Sequence, residues 1–332
     1  MRDDNGIDSS LRVKIVLAFA AIYLIWGSTY LAIKFAIETM PPFLMAGIRF
    51  LISGMLLYGW TRLRGTTAPK LIHWRSAVII GGLLLLAGNG AVVWSEQRVP
   101  SGLTALLVAT IPLWMVVLEW ARSGVRPGIR VVGGLLLGIA ALVLLASPSQ
   151  IIGGEQIDYS GVLALMLGTF CWASGSLYSR SAQLPASPLL GTAMQMIAGG
   201  VLLCIAGVAT GEVAQVKLTD ISLRSLLAVS YLIVFGSLIG FTAYVWLLRV
   251  TTPARISTYA YVNPVVAIVC GWMLGGETIS TRTLVVVGMI ILAVVSINSA
   301  RIQSSVKKEK RTVRSMDTKR LPADQDVAEV TS

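Results

Sequence analysis

The residues in this chain that could bind a solute are few, and most fall inside long apolar stretches. Arg49 lies about seven residues into the stretch 42–60, roughly 10 Å deep at about 1.5 Å per helical residue. A cation there costs roughly 2.5 to 3.5 kcal/mol on insertion scales, and such residues face a bundle interior or a wet cavity. Its guanidinium suits a substrate carboxylate. It suits backbone carbonyls of adjacent helices equally well, so binding and clamping are both open. Asn263 carries an amide that would be expensive against lipid, and Asn89, Tyr231 and Tyr244 are polar residues of the same cavity-lining kind. Tyr259 and Tyr261 precede Asn263 but cannot both share its helix face.

Pro112 and Pro264 sit near the middle of apolar stretches, where each removes a backbone donor and frees the carbonyl four residues back. Freed groups at membrane depth are tolerated where protein or cavity water satisfies them, so the two prolines mark either gating elements or passive kinks. Trp26 and Trp172 lie within stretches rather than at the ends, where interfacial tryptophan concentrates. Ser28, Thr29 and Tyr30 follow the first, and Ser174, Ser176 and Tyr178 the second. Small hydroxylated residues allow close helix packing, and with aromatic faces they can also line a site for an amphipathic solute. Glu119 is the one acid inside an apolar stretch, near its end, where it can snorkel or relay protons.

The scaffold that must position these residues is set by composition. Of 332 residues 55% are hydrophobic and 13% charged, against about 25% charged in a soluble domain. Apolar runs near the roughly 20 residues needed to cross a bilayer recur along the chain. Ten are read, at 13–34, 42–60, 76–95, 101–121, 129–147, 158–179, 187–208, 222–246, 254–274 and 281–300. The fold expected is an all-α membrane protein. The net charge of +11 reads as a topology signal: 13 Lys/Arg fall at the N-terminus and in alternate loops, against five in the opposite loops, with eight more from Arg301 onward. By the positive-inside rule both termini are expected in the cytoplasm. Segments 1–12 and 301–332 read as a cytoplasmic N-terminus and a disordered cytoplasmic tail. Cys171, Cys204 and Cys270 all lie in apolar stretches and imply no disulfide framework.

The halves match each other. At an offset of 146, Trp26, Lys34, Pro42 and Gly54 align with Trp172, Arg180, Pro188 and Gly200, and Arg49 meets Gln195. At an offset of 152, Gly88, Trp94, Pro112 and Trp120 align with Gly240, Trp246, Pro264 and Trp272, so one six-residue insertion near 209–221 reconciles both registers. Five helices per half is odd, so the second half, 158–300, is expected to enter the membrane opposite to the first, 13–147. Inverted repeats mark transporters, because two like halves can exchange conformations around one midplane site. Gly134 to Gly138, Gly236 to Gly240 and Gly271 to Gly275 are close-packing spacings.

The segments from Leu24 to Tyr30, Pro41-Pro42, Gly47 to Phe50, Ser257 to Pro264 and Gly275 to Glu277 resemble the EamA-type exporters of the drug/metabolite transporter superfamily. The resemblance implies ten helices around a central cavity, with the fifth and tenth peripheral, and export of amino acids or related metabolites. It departs at Glu277, whose counterpart in the first half is Val125, so a symmetric acidic pair is not expected.

No enzyme signature accompanies these features: the single histidine, His73, falls in a short loop, and HExxH, GxSxG and phosphate-loop motifs are missing from the sequence. The expectation is a secondary transporter, with an intramembrane enzyme and a channel or lipid-handling protein as alternatives. No cofactor, metal or nucleic acid is expected. The expected partners are a small-molecule substrate and the lipid bilayer, and a homodimer is an allowed assembly. The substrate-binding or cavity set is Trp26, Tyr30, Arg49, Asn89, Trp172, Ser176, Gln195, Tyr244, Tyr259 and Asn263, with Pro112 and Pro264 as gating or kink residues.

Overall fold

The computed structural model describes residues 9–98, 104, 107–145, 158–275, 285, 288–293 and 295–297. The expectations for 1–8, for Glu277 and for the tail from Arg301 lie outside the described residues. Among these residues the chain is wholly helical: α1 Ser9–Ile37, α2 Pro42–Leu63, α3 Leu71–Ser95, α4 Ile111–Ser123, α5 Ile129–Leu145, α6 Tyr159–Ser179, α7 Pro188–Ala209, α8 Leu223–Val250 and α9 Tyr259–Gly275, with a short apolar helix over Gly288–Ile297. Six of them, α1, α2, α3, α6, α7 and α8, are long and apolar enough to cross a membrane. Their outer faces carry exposed Leu17, Leu24, Leu56, Leu163, Leu167 and Ile205. A surface this apolar is stable against lipid tails and not against water.

Local chemistry sets the helix ends. Pro42 and Pro188 open α2 and α7, where a missing N–H is no loss. Asp158 caps α6 by accepting from the amides of Ser160 at 2.9 Å and Gly161 at 3.3 Å. These bonds, first of all the one from the Ser160 hydroxyl, hold its carboxyl below the usual range, with Arg98 at 3.7 Å adding to them. Gly124 ends α4 at φ 68°, a left-handed backbone that favours glycine. Pro41 gives α2 no side-chain cap, and the cap comes from a distant loop instead. Glu212, buried, accepts from Phe43 N at 3.1 Å and Leu44 N at 2.8 Å through its two oxygens. A carboxylate there satisfies two orphan donors and meets the positive end of the helix. Glu212→Ala is expected to lower stability by about 1–2 kcal/mol, read as a lower unfolding midpoint in detergent, with Glu212→Gln intermediate.

The repeat reappears as contacts. Helices α2 and α7 pack so closely that a Cβ on Gly54 would stand 2.8 Å from Ile197 N and 3.0 Å from the Ala193 carbonyl. Its counterpart Gly200 meets the same neighbours shifted by 146, Leu51 N at 2.8 Å and the Gly47 carbonyl at 3.0 Å. As the numbering rises along α2 it falls along α7, so these equivalent helices run antiparallel. A second exchange joins α1 to α8 and α3 to α6. Trp26 covers Gly240, where a Cβ would lie 2.5 Å from its Nε1, and Trp172 covers Gly88, where the distance to Cε3 is 2.6 Å.

Helices α3 and α8 share a further irregularity. Gly82–Asn89 and Leu232–Phe241 are π-helical, and their last residues coincide under the 152-residue offset. π-Helical backbone is rare and concentrates at functional sites. The prolines break the symmetry: Pro264 is the sixth residue of α9, but Pro112 is the second of α4. The expectation of a mid-helix Pro112 is therefore corrected, because the chain turns at Ala109 and Thr110 and a new helix starts there. At that position proline lacks only a donor that a helix start would leave unpaired.

The glycine spacings admit side chains more than backbones. Gly134 faces Ile297 and the Ala293 carbonyl, whereas Gly138 takes the Tyr261 ring and Gly236 takes Thr29 and the Arg49 guanidinium. The Gly271 to Gly275 surroundings lie outside the described side chains.

Candidate functional site: a cavity between the two halves

A cavity of about 730 Å³, open mouth included, lies among α1, α2, α3, α4, α6, α8 and α9. Helices α5 and α7 contribute no lining residue. Of the expected set, Trp26, Tyr30, Arg49, Asn89, Trp172, Tyr259 and Asn263 line it.

Arg49 is 3% exposed and reaches across from α2 to α8, where its Nε donates to Ser237 Oγ at 2.8 Å. Its guanidinium carbon stands 4.5 Å above the Phe50 ring. No carboxylate among the described residues is within ion-pair distance of it, and its Nη1 is buried without a hydrogen-bond partner. A buried cation with a free donor is a costly arrangement unless something else completes it. On α3, Asn89 ends the π segment with its Oδ1 also buried and unpartnered. The cavity thus presents an unsatisfied cationic donor on one wall and an unsatisfied neutral acceptor on another.

The remaining wall is aromatic. Trp26 and Trp172, equivalent in the repeat, meet edge to face at 5.7 Å between ring centroids, and Trp26 packs on Tyr259 at 5.0 Å and on Tyr244 at 5.1 Å. Tyr244 and Ser176 stand behind this wall. Trp172 Nε1 donates to Tyr244 OH at 2.8 Å, and Ser176 Oγ lies 2.6 Å from the same hydroxyl. Trp26 Nε1 donates to the Gly236 carbonyl inside the π segment of α8, at 3.2 Å. The indole orientations are fixed by these bonds, which leaves ring faces and edges for a ligand.

With its amide in the orientation that satisfies both ends, Asn263 donates from its nitrogen to the carbonyls of Tyr23 and Tyr259, at 3.3 and 3.0 Å, and ties α1 to α9, which runs unbroken through Pro264. Tyr261 points the other way, into α5, with its hydroxyl donating to the Leu135 carbonyl at 3.5 Å. Thr29 lines the cavity and donates to the Trp26 carbonyl, while Ser28 Oγ meets Tyr231 OH at 2.7 Å. Gln195, the repeat partner of Arg49, does not reach the cavity. It is fully buried on α7 with neither amide atom bonded.

Sequence reasoning passed over Ser237, which anchors Arg49, and Glu96, which stands just past α3. Asn89 and Val92 line the cavity, and Glu96 continues their face one turn further, its backbone N–H bonding Val92 O at 2.9 Å. That spacing was the available signal.

The sequence profile of the EamA-like transporter family matches residues 13–147 and 159–299. This chain belongs to the EamA-like transporter family. The "Uncharacterized inner membrane transporter YedA" of Escherichia coli K12 is 42% identical over 280 residues, covering 84% of this chain and 88% of that protein. The "Uncharacterized transporter YvbV" of Bacillus subtilis is 28% identical over 296 residues, covering 87% and 92%. In Arabidopsis thaliana the "WAT1-related protein At3g02690, chloroplastic" is 27% identical over 280 residues, covering 83% and 67%. A solved crystal structure superposes with a TM-score of 0.71 at 20% identity, covering 86% of this chain and 98% of that one, a likeness of fold alone. The two EamA segments coincide with the halves whose tryptophans and glycines exchange partners. The cavity therefore lies at the junction of the duplicated EamA units of a membrane transporter.

Proposed function

We propose that this protein is a secondary transporter of the bacterial cytoplasmic membrane that exports small amphipathic metabolites, such as amino acids or related carboxylates, by alternating access. The arrangement proposed is ten membrane helices in two inverted five-helix repeats, with both termini in the cytoplasm. One observation carries the reading: a buried arginine with a free Nη1 faces a cavity that is also lined by aromatic rings. A planar guanidinium binds a carboxylate through two parallel hydrogen bonds, and ring faces suit the apolar remainder of the solute. The antiparallel packing of the equivalent helices α2 and α7 supports inversion, since like helices pointing opposite ways put the halves in opposite orientations. Alternation follows from that symmetry, because each half can adopt the other's conformation.

The test is a metabolite comparison between cells lacking and overproducing the protein. Carboxylate-bearing solutes of about amino-acid size are expected to accumulate inside the first and outside the second. An unchanged profile in both strains would contradict the reading. Orientation is tested separately on a cysteine-free background. Thr219→Cys, in the exposed loop before α8, is expected to react several-fold faster with an impermeant maleimide added to intact cells than Thr67→Cys, in the exposed loop after α2. The reverse preference would invert the topology.

A further inference from the structure

One helical turn beyond the cavity lining stands an ionisable group that the carboxylate reading leaves unused. Tyr30 and Ile33 of α1 and Val92 of α3 line the cavity, and the next turn on those two faces brings Lys34 and Glu96. Lys34 is exposed, whereas Glu96 is half-buried with its Oε2 sealed from solvent and without a hydrogen-bond partner. Facing it from α1 are Tyr30 and Lys34. From α6 comes Asp158, which is engaged by Arg98 from Glu96's own segment at 3.7 Å, and Arg98 also stacks on Trp94 at 4.0 Å. The α2 N-terminus nearby is already capped by Glu212. Among the described residues, Glu96 has Lys34 as the cation that acts on it and no donor for its inner oxygen.

We propose that Glu96 is a proton-linked subsite for a substrate ammonium: it holds a proton while the cavity is empty and yields that proton to water when a cationic amine takes its place. The inference rests on the reading of the cavity as the transport site. Desolvation pushes the Glu96 carboxyl up to about 8, against a smaller lowering by Lys34, so the empty site is mostly protonated at neutral pH. An ammonium beside it favours the charged form and releases one proton per amine bound, with no other reactant needed. Arg49 would hold the carboxylate of the same solute, so a zwitterion satisfies both ends where a simple carboxylate satisfies one.

The test uses dicyclohexylcarbodiimide, which reacts with protonated carboxyls in apolar surroundings, on the purified full chain in liposomes. Adduct at Glu96 is read by mass spectrometry across roughly pH 5 to 10, a window spanning the ordinary and raised carboxyl ranges. Labelling is expected to fall to half near pH 8, to vanish in Glu96→Gln, and to persist in Glu96→Asp. Lys34→Gln is expected to move the midpoint upward, because it removes the cation that favours the carboxylate. At pH 7 L-phenylalanine is expected to cut labelling several-fold, and 3-phenylpropanoate, which lacks the amine, to leave it near the free level. A midpoint in the ordinary carboxylate range, or equal protection by the two probes, overturns the proposal. Wild-type counterflow separates the two readings: absent counterflow with a midpoint near 8 counts against transport, and intact counterflow with an ordinary midpoint counts against Glu96.

Discussion

Arg49→Gln is expected to lose roughly ten- to a hundredfold in flux of carboxylate-bearing solutes at equal amounts of folded protein. The figure follows from about 1.5–3 kcal/mol for hydrogen bonds to charged groups, at about 1.4 kcal/mol per factor of ten. Glutamine keeps a donor for Ser237, which now receives the Nε at 2.8 Å, but loses the charge and the free Nη1. Arg49→Lys keeps the charge without the planar fork and is expected to retain intermediate flux. Matched carboxylate and amide solutes in reconstituted vesicles provide the readout. If both variants lose folded protein and the survivors keep wild-type preference, Arg49 is a clamp between α2 and α8 and not a binding residue.

The largest stability effect is expected where α2 crosses α7. Gly54→Val and Gly200→Val each place a Cβ 2.8 Å from a backbone nitrogen, well inside van der Waals contact with backbone that cannot rotate away, and overpacking of this kind costs about 1–3 kcal/mol. Because the two glycines meet equivalent atoms, their losses are expected to match within about 0.5 kcal/mol. Gly59→Val, with open space around the site, is expected to leave the unfolding midpoint near wild type. Equilibrium unfolding in detergent decides the matter. A large loss at Gly54 with none at Gly200 would remove the symmetry from the packing.

How much of this was legible beforehand depends on the physical signal each feature leaves. Apolar length marks where a chain meets hydrocarbon, and α2 at 42–63 and α7 at 188–209 begin within one residue of the expected 42 and 187. It does not mark helix ends in the headgroup region, where backbone bonding continues through polar residues. Helix α1 therefore begins at Ser9 and runs to Ile37, and α3 starts at Leu71 and not at 76. The repeat was visible because tryptophan and glycine are replaced rarely without consequence, and the structure supplies that consequence: each tryptophan needs the glycine of the other half.

Partner choice was not legible. Nothing in the spacing of Arg49 announces Ser237, 188 positions away, and nothing around Glu212 announces the α2 N-terminus, since long-range contacts leave no local period. The two π segments were invisible for another reason: glycine-rich and leucine-rich runs such as Gly82 to Asn89 suit α and π backbones alike. Gln195 shows the limit of symmetry reasoning, because its alignment with Arg49 is sound while its helix, α7, stands outside the cavity.

The most direct test of alternating access at this cavity is counterflow. Vesicles containing the purified protein are loaded with an excess of an unlabelled solute identified by the metabolite comparison, and entry of a trace of the labelled solute is followed. Wild type is expected to show a saturable transient overshoot that Arg49→Gln sharply reduces. Uptake that rises linearly with concentration and ignores the internal solute would mean that both sides see the cavity at once, and would contradict alternating access.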